Sequence, residues 1–345
     1  MKIAIVILNW NGKQLLEKFI PTVLQHSKNV ATIYVIDNAS TDRSISILTE
    51  KFPDVKIVQN SENGGYARGY NEGLKKIAAD YFVLLNSDVE VTYNWMQPII
   101  SLMEADRSIA ACQPKILNYN VRDEFEYAGG GGGFIDKWGY PFCRGRVFNS
   151  FEKDHGQYDD TREVFWASGA CLFIRSNIFL ETGGFDEDFF AHMEEIDLCW
   201  RIRNLGYKIY YCADSAIYHV GAGTLSKMNP KKTFYNFRNN LLLLCKNHAP
   251  EYFYFKLFLR ICLDGVAGLR FIVSGEFAHC IAVIKAHFSF YALFKQTLRK
   301  RNAIRGQIVR YADNGVYRGS IVWDYFVRGK SKFSDIREDL FKTKS

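Results

Sequence analysis

Apolar residues in the first two thirds of the chain fall into short unbroken runs separated by stretches of helical period. The runs at 2–8, 31–36, 55–58 and 81–85 predict strands, and the last lacks polar alternation, as expected of a strand covered on both faces. Between the first two, Leu15, Leu16, Phe19, Ile20, Val23 and Leu24 recur at three- and four-residue spacing and predict a helix that Pro21 bends or restarts. Further helices are predicted over 41–52 and 66–79. Strand, helix and strand in this rhythm imply right-handed crossovers and a parallel sheet. Polar residues stand where the strands stop: Asn9, Asp37, Asn63 and, after the run at 81–85, Asp88. Open α/β sheets bind ligands beyond these carboxyl ends.

Beyond that core the pattern predicts a helix at 94–105 and a strand at 110–116. It then decays over 118–162, where the run Gly129 to Gly133 suggests a long excursion with a mobile loop. A strand over 164–175, broken at Gly169, is followed by a short helix ending at Gly183 and Gly184. Glu194, Glu195 and Asp197 open a further helix, and short strands at 208–212 and 216–218 run into His219. From 227 the character changes. A helix at 235–246 precedes two apolar, aromatic segments, 252–272 and 277–294, interrupted by Lys256, Arg260, Asp264, Arg270 and Lys285. Neither offers the roughly 20 uninterrupted apolar residues of a spanning helix. They fit interfacial helices beside the basic block Arg299, Lys300, Arg301 and Arg305, or else a helical subdomain packed on the main core.

Charge sharpens this division. Residues 1–220 carry 22 Lys+Arg against 29 Asp+Glu, whereas residues 221–345 carry 22 against 8. A basic, aromatic tail points to an anionic partner surface; apolar helices suit a membrane better than nucleic acid. The eight cysteines form no CxxC pair, so free thiols and no zinc site are expected. The apolar run at 3–8 is too short for a signal-peptide core, so a reducing cytoplasm is the expected location.

Each chemical candidate also has a plain structural reading. Asp88 suits a turn as well as a ligand site. Gly65, Gly69 and Gly73 share one helix face, for close packing on the sheet or for room where a helix start meets phosphate. The acidic residues at 194–197 cap a helix or supply a base, and a lone His219 is ordinarily structural. Taken together, a crevice of Asp and Asn suits a nucleotide, with one carboxylate on the base and a second on a cation at the diphosphate. Clustered carboxylates raise one another's pKa and so provide a base near neutrality.

The segments IVILNWNG at 5–12, VIDNASTD at 35–42, NGGYARGYNEG at 63–73, LLNSDV at 84–89, GGFDEDFF at 183–190, EEIDLCWRIRNLGY at 194–207 and YHVGAGT at 218–224 occur in this order. In these the chain resembles a family-2 glycosyltransferase of the GT-A fold, particularly bacterial rhamnosyltransferase-like enzymes of surface-polysaccharide assembly. The resemblance implies a GT-A domain over 1–225 with a mostly parallel sheet, and a helical, membrane-associating extension over 226–345. It implies inverting transfer from a nucleoside-diphosphate sugar to a glycan or polyprenyl-diphosphate-linked acceptor at the cytoplasmic face of the inner membrane. Asn9 and Asp37 would hold the nucleotide, Asn63, Gly64, Gly65 and Arg68 the donor, and Asp88 with His219 a Mg²⁺ or Mn²⁺ ion. Glu195 is the expected base, with Glu194 and Asp197 beside it. Gly184, Phe185 and Asp186 would face the acceptor, with the Gly129 to Gly133 loop closing over it. Asn86-Ser87-Asp88 has one carboxylate where the family's DxD form has two, which implies weak metal binding without the sugar nucleotide. The competing expectation is a catalytically silent nucleotide-sugar or glycan-binding module.

Overall fold

A computed structural model describes residues 1–221 and 229–341. The expected segment YHVGAGT therefore lies outside the described residues from Ala222 onward, as does the expected domain boundary at 225/226.

The strands are β1 Ile3–Asn9, β2 Thr32–Asp37, β3 Lys56–Gln59, β4 Tyr81–Asn86, β5 Val89–Val91, β6 Ile109–Asn118, β7 Gly133–Asp136, β8 Pro141–Cys143, β9 Arg146–Val147, β10 Ser150–Phe151, β11 Arg162–Val164, β12 Cys171–Arg175, β13 Lys208–His219 and β14 Val316–Tyr317. The helices are α1 Lys13–Ser27, α2 Ser44–Lys51, α3 Gly65–Leu74, α4 Gln97–Ala105, α5 Ser176–Glu181, α6 Glu194–Asn204, α7 Pro230–Asn247, α8 Phe253–Val273, α9 Phe277–Arg305 and α10 Ile321–Phe326. The main sheet runs β11-β13-β6-β12-β4-β1-β2-β3, with β5 added to β13. Strands β4, β1, β2 and β3 are parallel as predicted, while β12 lies antiparallel between β4 and β6.

The unbroken apolar run of β4 has a direct cause. Phe82 and Leu84 enter one core cluster, whereas Tyr81, Val83 and Leu85 enter the other, on opposite faces of the same strand. Helix α1 continues through Pro21, whose exposed position leaves the freed carbonyl to solvent. The two strands expected at 208–212 and 216–218 form the single strand β13 with an irregularity between Cys212 and Ala216.

Residues 118–162 hold more order than their sequence suggests. Strands β7 to β10 form a small sheet, which β14 from the C-terminal region completes. Gly129 to Gly133 are buried, contrary to the expected mobile loop; a Cβ on Gly133 would lie 2.1 Å from the Trp166 ring. The glycines there serve close packing, and the run is no cover for an acceptor.

The C-terminal helices share the apolar core of the N-terminal region: Leu241 to Leu244, Phe253 and Phe290 join the cluster that contains Phe82 and Leu172. Helix α9 is long and apolar enough to cross a membrane, contrary to the expectation that neither segment was. Its C-terminal half is nonetheless fixed to the N-terminal region through Lys300, which pairs with Asp186 and Asp188.

Candidate active site

The carboxyl ends of β1 and β2 are stapled side by side. Asn9 and Asp37 stand opposite each other in register, and Asn9 Nδ2 donates to Asp37 Oδ1 at 3.2 Å and Ser40 Oγ at 3.1 Å. Asp37 Oδ2 also accepts from the Ser40 amide at 2.9 Å. Behind this pair, Asn60 Nδ2 donates to Asn38 Oδ1, and Asn38 Nδ2 donates to Asn63 Oδ1 at 2.9 Å. Asn63 Oδ1 in turn accepts from the Gly65 amide, so an amide relay from the buried Asn60 and Asn38 fixes the start of α3. The three α3 glycines settle on the packing reading: a Cβ on Gly65, Gly69 or Gly73 would meet Phe190, Asn38 and Leu8, or Ile36 respectively. Arg68, expected at the donor, pairs with Glu62 at 2.6 Å and Glu72 at 2.7 Å, with its stem against Gly64.

A second centre forms where β4 turns into β5. Val89 pairs with His219 at the end of β13, and this register brings His219 beside Asp88. Nε2 of His219 lies 3.0 Å from Asp88 Oδ1, and its Nδ1 lies 3.0 Å from Glu126 Oε2. Asp88 is only 4% exposed, and Glu126 and His219 are buried beside it. Burial disfavours the imidazolium, yet Glu126 and Asp88 raise the His219 pKa to about 10. Burial likewise opposes the charge on Asp88 and Glu126, and His219 lowers both.

The donor set suits a divalent cation at one edge. A carboxylate oxygen and an imidazole nitrogen are 3.0 Å apart, about the separation of adjacent ligands on an octahedral ion with bonds near 2.1 Å. Glu126 on the far ring nitrogen would hold the tautomer that presents Nε2. No group of three His, Cys, Asp or Glu residues arranged for a metal occurs among the described residues.

The third centre is the start of α6. Glu194 Oε2 and Glu195 Oε2 are buried without a hydrogen-bond partner. Burial raises the Glu195 pKa to about 7; burial and the neighbouring Glu195 push Glu194 well above the carboxylate range. The preceding turn is strained, with positive φ at Phe190, His192 and Met193 of 59°, 68° and 72°. Asn239 of α7 holds it, its Nδ2 donating to the carbonyls of Phe189, Ala191 and His192 at 3.0, 2.9 and 2.7 Å.

The family model described as glycosyl transferase family 2 matches residues 4–179. The chain belongs to this family. Among relatives of this family 2 glycosyltransferase is the N-acetylglucosaminyl-diphospho-decaprenol L-rhamnosyltransferase of Mycobacterium tuberculosis, 21% identical over 286 residues, covering 78% of this chain and 91% of the relative. Another is the dTDP-rhamnosyl transferase RfbF of Shigella flexneri, 23% identical over 235 residues, covering 63% and 72%. S. aureus TarS 1-349 in complex with UDP-GlcNAc superposes with a TM-score of 0.54 at 12% identity, covering 91% of this chain and 94% of that one. The mannosyltransferase PcManGT from Pyrobaculum calidifontis, in complex with GDP-Man and Mn²⁺, gives 0.51 at 14% identity over 89% and 85%. The fold is GT-A, as the motifs implied, and the resemblance to rhamnosyltransferases holds.

Within this glycosyltransferase, several residues sit differently from their sequence expectation. Asp197 is 0% exposed and bound by Arg201 at 2.9 Å, Lys246 at 2.7 Å and Asn247 at 2.7 Å, so it anchors helices. Asp186 bridges Lys246 at 2.6 Å and Lys300 at 2.5 Å, and despite burial these cations hold it well below the usual carboxylate range. Gly184 and Phe185 are buried, the ring against Tyr66 and Phe179, and so turn to the core in place of an acceptor. Sequence reasoning passed over Glu126 and Asn239. Glu126 lay in the stretch without period, and Asn239 gave no signal beyond a polar residue on an apolar helix.

Proposed function

We propose that the chain is an inverting glycosyltransferase that moves a sugar from a nucleoside diphosphate to a hydroxyl of a glycan carried on a polyprenyl diphosphate. The observation that carries this reading is Glu195, a carboxyl whose Oε2 is shielded and unpartnered, at the head of α6, with a pKa of about 7. Asn9 and Asp37 receive the nucleotide base, with Asp37 accepting a base N–H beyond the ends of β1 and β2. Asp88 and His219 hold Mg²⁺ or Mn²⁺, with Glu126 orienting the imidazole. The bound ion supplies positive charge to the departing diphosphate. Glu195 takes the proton of the acceptor hydroxyl as its oxygen bonds to the anomeric carbon. The bond from that carbon to the phosphate oxygen breaks, and its electron pair leaves with the nucleoside diphosphate. One direct displacement inverts the anomeric centre, with no sugar on the enzyme. The names of the relatives, one acting on a diphospho-decaprenol glycan and one a dTDP-rhamnosyl transferase, support this choice of acceptor and of donor class.

The test is transfer from a panel of sugar nucleotides to a polyprenyl-diphosphate glycan, with the product anomer read by NMR. Retention of configuration, or undiminished transfer by Glu195→Gln, would sink the proposal. Equally low donor hydrolysis in wild type, Asp88→Ala and Glu195→Gln, with sugar nucleotide still bound, would favour a silent binding module.

The membrane contact rests on an inverted pattern in α8 and α9. Phe255, Phe258, Val266, Leu269 and Val273 line an exposed face of α8, and Phe277, Ile281, Ile284 and Phe288 line one of α9. Of the charges that interrupt these helices, Arg260 and Asp264 lie inside, buried and paired at 2.9 Å, and Asp264 also meets His287 at 3.3 Å, while Arg270 and Lys285 are exposed. Apolar side chains outside and ion pairs inside suit a hairpin lying in the interface of an anionic bilayer at the cytoplasmic face. Flotation with anionic vesicles should fall at least about threefold for a Phe258→Ser, Phe288→Ser double variant. Unchanged flotation would remove the claim.

A further inference from the structure

Between the Asp88–His219 centre and the Glu194–Glu195 turn lies a cationic cluster that the roles above leave unused. Tyr127 follows Glu126, the residue that touches His219. Over its ring stand the Arg146 guanidinium, at 4.0 Å from the centroid, and the Lys232 ammonium, at 4.3 Å. No ion pair to Arg146 or Lys232 is formed among the described residues, and Arg146 Nε is buried without a hydrogen-bond partner. His192 adjoins the cluster from the strained turn before Glu194. Its Nε2 is likewise buried and unpartnered, and burial together with Lys232 lowers its pKa to about 4. Two cations share one aromatic face; Arg146 Nη1 donates to the Phe148 carbonyl at 3.2 Å, and neither cation is in an ion pair among the described residues. Such uncompensated charge beside a catalytic centre fits a polyanion.

Position selects which polyanion. Lys232 lies in the first turn of α7, and the next residue, Thr233, bonds through Oγ1 to His279 Nδ1 in the first turn of α9 at 2.7 Å. That turn begins with the exposed Phe277 and leads into the apolar face that includes Ile281. The cluster thus stands between the base-bearing turn and the start of the apolar hairpin.

We propose that Arg146 and Lys232 form a subsite for the diphosphate of a lipid-linked acceptor, holding the anionic joint between the sugar that reacts and the isoprenoid chain that follows the hairpin. This rests on the function proposed above and adds a place for the acceptor's charged group, separate from the donor diphosphate at Asp88 and His219. Arg146, with its fork of donors, and Lys232, as a point charge, would share the oxygens, while Tyr127 holds both cations in place.

The experiment uses the full chain and two probes measured separately by calorimetry: farnesyl diphosphate, which carries the lipid diphosphate without a sugar, and UDP or dTDP with Mn²⁺. Lys232→Gln is the principal variant because the residue is part-exposed in a first turn; Arg146→Gln is the second, accepted once its melting temperature matches wild type. Each substitution is expected to weaken farnesyl diphosphate about tenfold and to leave nucleoside diphosphate within about twofold, and Lys232→Arg is expected to restore most of the loss. The same affinity for farnesyl diphosphate in wild type and both variants would overturn the subsite. A loss confined to the nucleoside diphosphate would overturn it too, because the cluster would then serve the leaving group. Failure of wild type to bind any nucleoside diphosphate would count against the proposed function, whereas the farnesyl diphosphate arm reads the subsite independently.

Discussion

Two pairs of carboxylates within twelve residues of one another meet opposite fates. Asp186 and Asp197 are buried against Lys246, which bridges them at 2.6 and 2.7 Å, and each has a further cation, Lys300 or Arg201. Glu194 and Glu195 are shielded nearby with no cation on either Oε2 among the described residues. Along the sequence all four belong to one acidic stretch. In the structure the C-terminal helices α7 and α9 deliver their lysines to the aspartates and not to the glutamates. Pairing makes the first two charges structural, and isolation makes the other two basic. Buried charge alone therefore does not mark a catalytic group; what distinguishes it is the missing counter-charge.

The sharpest break in that comparison is Glu195→Gln. Transfer should fall about 10³-fold while the melting temperature holds or rises, because an uncompensated carboxyl is replaced by an amide of the same size. Next comes Lys246→Met, which strands two buried carboxylates and should cost about 3–5 kcal/mol in chemical denaturation. A loss below about 1 kcal/mol would mean that the aspartates are as isolated as the glutamates. Asn239→Ala releases three carbonyls of the strained turn and should cost about 1–3 kcal/mol. It should also lower kcat with little change in donor KM, since the turn aims Glu195 and does not touch the nucleotide; an unchanged kcat would make the clamp purely structural.

The smallest effects are in pH. Transfer should rise with pH and level off above about 7, where Glu195 is ionised. For Glu194 the folded value lies above the ordinary 4.5, so the folded state holds that proton more tightly than the unfolded chain does. Its contribution to stability is present below about 4.5 and is lost as pH rises through the folded value. Glu194→Gln should therefore stabilise the protein at pH 8 by about 1 kcal/mol or more and have little effect at pH 4. A gain of the same size at both pH values would contradict the unpaired environment.

The parallel half of the sheet was legible because its central strands β1 and β4 are buried on both faces and its strands close with short polar turns. The positions of Asn9, Asp37 and Asp88 followed from that alone. The stretch 118–162 was not legible, since its strands are two to four residues long and borrow β14 from about 180 residues downstream. For the same reason Glu126 escaped notice: its meaning depends on His219, which arrives by the register of β13 against β5. The helical tail was legible as apolar and basic. Its inside-out arrangement was not, because period shows a stripe without saying which side of it is covered.

By itself the sequence determined the family, the order of the elements and the strand ends at which Asn9, Asp37 and Asp88 gather, because these rest on local runs and on motifs contiguous in the chain. Only the tertiary structure decided which members of the acidic stretch are paired with cations. That choice depends on where Lys246, Lys300 and Arg201 come to rest, and Coulomb interactions in a buried site follow distances in space that residue spacing along the chain does not set.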